Sequence, residues 1–371
     1  MDDLALDEDS EAMSRVLILT GGGDAPGLNA VLRAFVRTAT DLGIQVLGSE
    51  DGFAGLMEDP NRIVGLGPAE VRGILQKGGS ILGCSNRHEP FAHRVVDPDG
   101  SERTEDVSER VKDVLDSLDI DALVLVGGDG TMNIGMRFSK MGVPVIGIPK
   151  TIDNDLAATD TTFGLDTAVN TATWAIDALH STAEAHDRVM ILEVMGRDAG
   201  WIAMNSGIAG GADVILIPEI PYDVERVAAK IKRRSEAGHH FSIIVTGEGA
   251  KPMGGTVSEI HEGVAHHHQD AGSQLCSLLE GSINHEVRVT VLGHLQRGGS
   301  PTALDRLLGT RFGVHAAHLC DRGTTGVIVA LRGQDVTSVP LESAVANLKR
   351  VPPDGELVQV ARAVGVEVGR E

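Results

Sequence analysis

Short apolar runs alternate with amphipathic stretches along most of this 371-residue chain. That alternation predicts the α/β class, with mostly parallel sheets covered by helices on both faces. A second observation is residues 122–126, apolar throughout, as a strand buried on both faces requires. A third is that the segments following the predicted strands are richer in Gly, Asp and Arg than the rest. Loops at the carboxyl ends of parallel strands are where such folds bind ligands.

The acidic residues 1–13 lack an apolar core and read as a solvated tail, not a signal peptide. Residues 16–20 form the first strand and run into Gly21-Gly22-Gly23. Leu28, Val31, Leu32, Phe35 and Val36 then recur on one face of a helix. Residues 44–47 read as a strand, 80–99 as loop, 107–118 as an amphipathic helix and 122–126 as the next strand. The rhythm continues with strand 143–148, helix 167–185, strands 189–194 and 214–217, helix 224–235 and strand 241–245. Residues 250–270 read as a flexible connection carrying Gly and His. Strand 288–292, helix 304–320 and strand 326–331 follow. This many strands predicts two sheets, and no repeat of 20–50 residues is visible.

Composition narrows the function. With 53 acidic against 32 basic side chains, the formal net charge is −21, against a general nucleic-acid binder. A phosphate pocket must therefore concentrate its Arg and Lys locally. No run of about 18 apolar residues exists, so no membrane-spanning helix is expected. Cys84, Cys276 and Cys320 are widely spaced and odd in number, which favours a reducing cytoplasm over a disulfide framework. The 46 glycines imply tight turns and backbone close to ligand.

Six strand-end loops carry the chemistry. Residues 20–29, with three consecutive glycines before a helix, suit either a tight turn or a phosphate loop; neither a Walker A string nor GxGxxG is present. Gly127-Gly128-Asp129-Gly130-Thr131 places a carboxylate beside glycines, either as a helix cap or as a holder of Mg²⁺. Pro149-Lys150-Thr151-Ile152-Asp153-Asn154-Asp155 gathers acids and a cation, as phosphoryl transfer needs, although Asn154 or Asp155 also suits an Asx-turn. Met195-Gly196-Arg197 delivers a guanidinium into a crevice. Glu248 stands between glycines, and His294 and Arg297 lie three residues apart in the last loop.

Taken in order, GGDAPGLN, GGDGT, PKTIDNDL, EVMGR and GHLQRGGSP resemble the phosphofructokinase family, from residue 16 to about residue 313. The resemblance implies two unequal α/β domains with the active site between them. It also implies phosphorylation of the 1-hydroxyl of fructose 6-phosphate, and a homodimer or homotetramer with shared active sites. The expected division is 14–164 plus about 296–346 for the larger donor domain, and 165–295 plus about 347–371 for the sugar-phosphate domain. By motif, Gly22, Gly23, Gly130 and Thr131 would line the donor, ATP, and Asp129 would hold Mg²⁺. Asp153 would accept the hydroxyl proton, with Thr151 and Asp155 beside it. Met195, Gly196 and Arg197 would contact substrate, Arg197 also facing the moving phosphoryl group. Glu248 would bind the sugar, and His294 and Arg297 its 6-phosphate. Arg188 and Arg288 would reach the phosphate in a neighbouring subunit. Arg87, in GCSNRHEPF, would match a donor-binding arginine; this loop has one extra residue against the bacterial ATP enzymes.

The donor turns on two positions. In the family, Gly at 130 goes with ATP, and Asp there, which would repel the α-phosphate, goes with pyrophosphate. Lys150 is the residue of pyrophosphate users. Removing an obstruction is the stricter requirement, so ATP is the expected donor and a pyrophosphate-dependent phosphotransferase the alternative. Sedoheptulose 7-phosphate shares the reacting end of the sugar. Arg33 and Arg37 match effector-site positions, but His180 and His239-His240 stand where cations are expected, or the arginines simply face solvent. His266-His267-His268 reads as a solvated run and Cys84 as a small buried thiol. A catalytically dead regulatory subunit would need a loss at Asp129, Asp153 or Arg197, and an oxidoreductase would need GxGxxG.

Overall fold

The computed structural model describes residues 13–97, 99–254 and 271–370, so residues 1–12 of the acidic tail, and residues 255–270 of the predicted connection with His266-His267-His268, lie outside the described residues. Met13, read as the end of a solvated tail, is instead buried with the core of the first sheet, and its amide donates to the Cys320 carbonyl at 3.3 Å. Two compact units divide the chain. The first runs to Thr151 and adds Leu156–Gly164 and Gly298–Leu348; the second comprises Ile152–Asp155, Leu165–Arg297 and the residues from Lys349. Expectation put residues 152–155 in the first unit. They join the second because the Lys349 amide donates to the Asp155 carbonyl at 2.7 Å and Lys349 Nζ to Asn154 Oδ1 at 2.9 Å.

The first unit opens with β1 (Arg15–Thr20), α1 (Leu28–Asp41), β2 (Gln45–Ser49), α2 (Ala54–Met57) and β3 (Ile63–Leu66). An antiparallel pair, β4 (His93–Val96) and β5 (Glu102–Glu105), follows; β4 falls within residues 80–99, where the sequence suggested loop. Next come α3 (Ser108–Ser117), β6 (Ala122–Gly127), α4 (Asp129–Lys140), β7 (Val145–Thr151) and β8 (Phe163–Gly164). The second unit contributes α5 (Leu165–Ala185), β9 (Val189–Val194), α6 (Trp201–Ala209), β10 (Val214–Leu216), α7 (Val224–Glu236), β11 (Ser242–Gly247), α8 (Ala271–Leu279) and β12 (Val287–Val291). The chain then returns to the first unit with α9 (Ala303–Asp321), β13 (Val327–Arg332), β14 (Asp335–Pro340) and α10 (Glu342–Val345), and ends in the second with α11 (Glu356–Ala363).

The first sheet runs β14-β13-β7-β6-β1-β2-β3, with β8 beside β7. Its centre is parallel, but β3 and β14 at the edges are antiparallel to their neighbours. Alternate residues of β1 serve opposite faces. Val16 and Ile18 pack with α1 and α9, whereas Leu17 and Leu19 pack with α3 and α4. The second sheet, β10-β11-β9-β12, is parallel throughout. Helix α6 escapes a periodicity reading because it is apolar on nearly every face, with Ile202, Ala203 and Met204 all buried. Among the described residues no helix is long and apolar enough to cross a membrane.

Helices α1 and α9 touch backbone to backbone through two glycines. A Cβ on Gly313 would stand 2.5 Å from the Val31 carbonyl oxygen and 2.9 Å from the Phe35 nitrogen. Helix propensity alone favours Gly313→Ala by about 1 kcal/mol. Overpacking against rigid backbone costs about 1–3 kcal/mol and sets the sign here. Urea denaturation should therefore show Gly313→Ala destabilised; an unchanged or raised midpoint would contradict this packing.

Candidate active site

In the first sheet, the chain leaves β1 toward β2 on one side and later resumes at β6 on the other. The crevice outside the carboxyl ends at such a reversal is the general ligand site of open α/β sheets. Register pairs Thr20 with Val126 and Gly127 with Pro149, so the ends of β1, β6 and β7 stand side by side. Their loops are therefore brought together. The Gly22 amide donates to the Ser85 carbonyl at 3.0 Å, laying residues 84–87 along the glycine loop. Arg87 is exposed two residues beyond Ser85, and its amide donates to Ser85 Oγ at 3.2 Å.

Gly128 is the N-cap of α4, and Asp129, Gly130 and Thr131 form its first turn. First-turn amides have no intrahelical partner and favour an anion. Thr131 is buried and packs against both glycine turns: a Cβ on Gly21 would meet its Oγ1 at 2.6 Å, and one on Gly127 at 2.4 Å. Gly22 has φ 73°, and a Cβ there would stand 3.5 Å from Lys150 Nζ. Lys150 is only 3% exposed, and its ammonium donates to the Gly23 carbonyl. It thus pins the glycine loop. Gly130 is exposed, and a Cβ there would meet no atom within 4 Å. Asp129 is half-buried, and its Oδ1 accepts from Asn133 Nδ2 at 3.0 Å. Thr151, buried, ends β7, and its carbonyl accepts from Thr162 Oγ1 at 2.7 Å. Cys84 is a half-buried thiol whose pKa burial raises, the environment of an inert cysteine.

The second sheet reverses at β9, which lies between β11 and β12. All three strands end in loops predicted from the sequence. After β9, Gly196 has φ 143° and Arg197 φ 51°. Both amides donate to one oxygen of Glu248, Oε1, at 3.3 and 2.8 Å. Glu248 follows β11, and its own amide donates to the Val194 carbonyl at 2.9 Å. A Cβ on Gly249 would fall 2.2 Å from the Arg197 carbonyl oxygen, so the turn leans directly on glycine backbone. Met195 is half-buried and the Arg197 side chain exposed. After β12, a single 3₁₀ turn, Gly293–Gln296, presents His294 to solvent, and the Arg297 amide donates to the His294 carbonyl at 3.0 Å. Asp153 and Asn154 are 3% and 4% exposed, and Asn154 takes the left-handed conformation that Asn tolerates, φ 53°. Asp155 is half-buried.

Two predicted residues are not with these. Arg188 precedes β9 and Arg288 pairs with Met190 near its start, at the amino end of the sheet. Strand β9 puts about 20 Å between Arg188 and the Met195–Arg197 turn. Both arginines converge on Glu286: Arg188 Nε at 2.5 Å, and an Arg288 guanidinium NH₂ group on the other oxygen. Arg188 holds the Glu286 carboxyl below its ordinary pKa. On the helices, His180 Nε2 lies 3.1 Å from the Gly210 carbonyl and its ring meets Phe241 edge-on. Arg33 is half-buried and Arg37 exposed on α1.

Sequence reasoning missed the supports. Lys349 fixes Asn154 from 195 residues away, and no local pattern announces it. Glu219, which accepts from the Gly200 amide at 2.9 Å and the Val351 amide at 2.8 Å, was equally invisible. Ser85 gave only a weak signal through its place in a loop.

The family model for Phosphofructokinase matches residues 15–320. The ATP-dependent 6-phosphofructokinase of Chloroflexus aurantiacus (strain ATCC 29366 / DSM 635 / J-10-fl) is 50% identical over 362 residues, 96% of this chain and 98% of its own length. That of Mycobacterium leprae (strain TN) is 49% identical over 343 residues, 91% of this chain and 96% of its own. Among solved structures, Pichia pastoris phosphofructokinase in the T-state has a TM-score of 0.76 at 28% identity, covering 96% of this chain and 37% of that longer one. A pyrophosphate-dependent phosphofructokinase from Marinobacter aquaeolei has a TM-score of 0.76 at 22% identity, covering 95% and 88%, and shows a shared fold.

Removing the Glu248 carboxylate leaves two amides of a positive-φ turn without an acceptor, at a cost of about 1–3 kcal/mol. Glu248→Ala should speed hydrogen exchange at Gly196 and Arg197 at least tenfold while amides of β9 stay protected. Unchanged exchange at 196 and 197 would show that the turn holds without Glu248.

Proposed function

The chain belongs to the phosphofructokinase family, and we infer that it is an ATP-dependent 6-phosphofructokinase. It transfers the terminal phosphoryl group of ATP to the 1-hydroxyl of fructose 6-phosphate, releasing ADP and fructose 1,6-bisphosphate. The observation that carries the donor is the open space at Gly130, in the first turn of α4. An Asp there would set a second carboxylate beside Asp129, where the α-phosphate of ATP needs room. Lys150 does not argue against ATP, because its ammonium is engaged with the Gly23 carbonyl and shapes the loop.

Gly22, Gly23 and the first turn of α4 bind the donor phosphates through backbone N–H groups, and Arg87 adds a cation from the adjoining loop. In the acceptor loops, Met195, Gly196 and Glu248 orient the sugar. Glu248 has one oxygen on the Gly196 and Arg197 amides and a second for a sugar hydroxyl. His294 and Arg297 bind the 6-phosphate. Asp153 accepts the proton of the 1-hydroxyl as its oxygen bonds to phosphorus and the bond to the ADP oxygen breaks. Arg197 balances charge on the moving phosphoryl group, and Thr151 positions the loop between donor and base.

Mg²⁺ suits the donor residues. Among the described residues no group of three His, Cys, Asp or Glu forms a metal cage. Asp129 offers a single half-buried carboxylate, which matches an ion that keeps water and phosphate as its other ligands. Asp129 would hold it, and the ion would neutralise charge on the donor phosphates.

The amino-end position of Arg188 and Arg288 supports a homodimer or homotetramer with shared sites. At about 20 Å of strand from Arg197, the two arginines suit a phosphate in another copy's site. The donor role falls to the first unit and the sugar-phosphate role to the second in this reading. ATP as donor and three free cysteines support a cytoplasmic enzyme.

A coupled assay comparing ATP with pyrophosphate tests the reading. The parent should prefer ATP, and Gly130→Asp should lower kcat/KM for ATP at least 100-fold. Asp153→Asn should lower kcat about 10²–10⁴-fold with little change in the sugar KM. Pyrophosphate winning in the parent, or an active Asp153→Asn enzyme, would sink the assignment. Glu286 competes with a partner's phosphate for Arg188 and Arg288. Glu286→Gln should therefore lower the fructose 6-phosphate KM several-fold; a raised KM would mean that Glu286 holds the arginines ready instead.

A further inference from the structure

The second unit carries a cavity of about 220 Å³ that none of the loops described above lines. Its walls come from α7 and from the chain at and beyond the end of α11. Arg226, Lys230 and Arg233 line it from α7. Their i, i+4, i+7 spacing stacks three cations on one helical face, over roughly 10 Å. Val227, Ala228 and Ile231 of the same helix are buried, which turns the cationic face outward. Arg362, Glu367 and Arg370 complete the charged lining.

Five cations thus share the cavity with one carboxylate, in a chain whose formal charge is −21. That carboxylate is already engaged: Glu367 is 10% exposed and pairs with Arg226 at 3.3 Å. Lys230 Nζ donates to the Gly365 carbonyl at 2.6 Å, and Arg362 Nη2 to the Arg370 carbonyl at 2.6 Å. These bonds fix two cationic heads without neutralising them. Among the described residues no carboxylate forms a salt bridge with Lys230, Arg233, Arg362 or Arg370, although Lys230 lies within electrostatic reach of Asp213. The next residue makes the contrast. Arg234 pairs with Asp213 at 2.7 Å and ties α7 to the start of β10, the ordinary structural use of a cation.

Stacked like charges destabilise a helix, and a bound anion would relieve that repulsion. Guanidinium forks present several N–H donors to the oxygens of a phosphate, which a single ammonium does not. The volume falls below the usual range for drug-sized ligands, and a phosphorylated molecule of a few carbons fits it. The place is distinct from the catalytic loops. Glu367 bridges Val214 and donates its amide to the Asp213 carbonyl at 3.0 Å, at the amino end of edge strand β10. Arg197, Glu248 and His294 follow the carboxyl ends of the other three strands.

We propose that this cavity is a second anion site, which binds a small phosphorylated molecule through Lys230, Arg233, Arg362 and Arg370. Calorimetry with inorganic phosphate on the full chain tests it. Arg233→Ser/Arg370→Ser should remove one binding event per chain, and Arg297→Ser should remove a different one. Arg233→Lys/Arg370→Lys should keep the event at reduced affinity. Phosphate should also slow modification of Arg233 and Arg370 by phenylglyoxal in the parent, read by mass spectrometry, which needs no variant to fold. Equal modification rates with and without phosphate would overturn the proposal. So would loss of the event in Arg297→Ser alone. Tricarballylate binding as tightly as phosphate would overturn the phosphate class.

Discussion

Thr131 sits where three backbone segments must meet, and the loops after β1 and β6 depend on that contact. Its side chain fills the place of a Cβ at both Gly21 and Gly127, at 2.6 and 2.4 Å from its Oγ1. Any larger residue at either glycine would push the loop after β1 away from the first turn of α4. Lys150 adds a further tie by donating to the Gly23 carbonyl. Burial of a charge is favourable only with good partners, and the Gly23 carbonyl is one of them. Here it keeps carbonyl oxygen engaged and leaves N–H groups to face an anion.

Acidic side chains in the second unit do positional work as much as chemistry. Glu248 holds a turn with two positive φ values, Glu219 holds the Gly200 and Val351 amides, and Glu193 accepts from the buried Gly272 amide at 2.8 Å. Each satisfies backbone donors that would cost about 1–3 kcal/mol if left bare. The net charge of −21 therefore says little about the sites themselves. Glu286 between two arginines and Glu367 among five cations show how local groupings reverse the sign of the whole.

Strand-end loops were legible because they need unusual residues: glycine where backbone meets backbone, Arg or Asp where a ligand is charged. Residues 122–126 and 189–194 were legible because a strand buried on both faces has no polar alternation to confuse it. The edge strands β3 and β14 were not, since short half-exposed strands look like loop. Helix α6 was missed because burial on nearly all sides removes its period. The division at residues 152–155 was misread because Lys349, far along the chain, decides it.

From the sequence alone come the α/β class, the order of the six loops and the residue types at Gly130, Asp153 and Arg197. These follow from local rules, namely side-chain period, turn chemistry and the need for space or charge at a strand end. Only the tertiary structure decided which groups hold those residues. It put Glu248 under the Arg197 turn, Lys349 on Asn154 and Glu286 between Arg188 and Arg288. It also separated those last two arginines from the other residues of the same sheet that the sequence predicts to meet substrate. Such pairings join residues distant in sequence through sheet register and helix packing, and no local pattern encodes which distant carboxylate or ammonium will arrive.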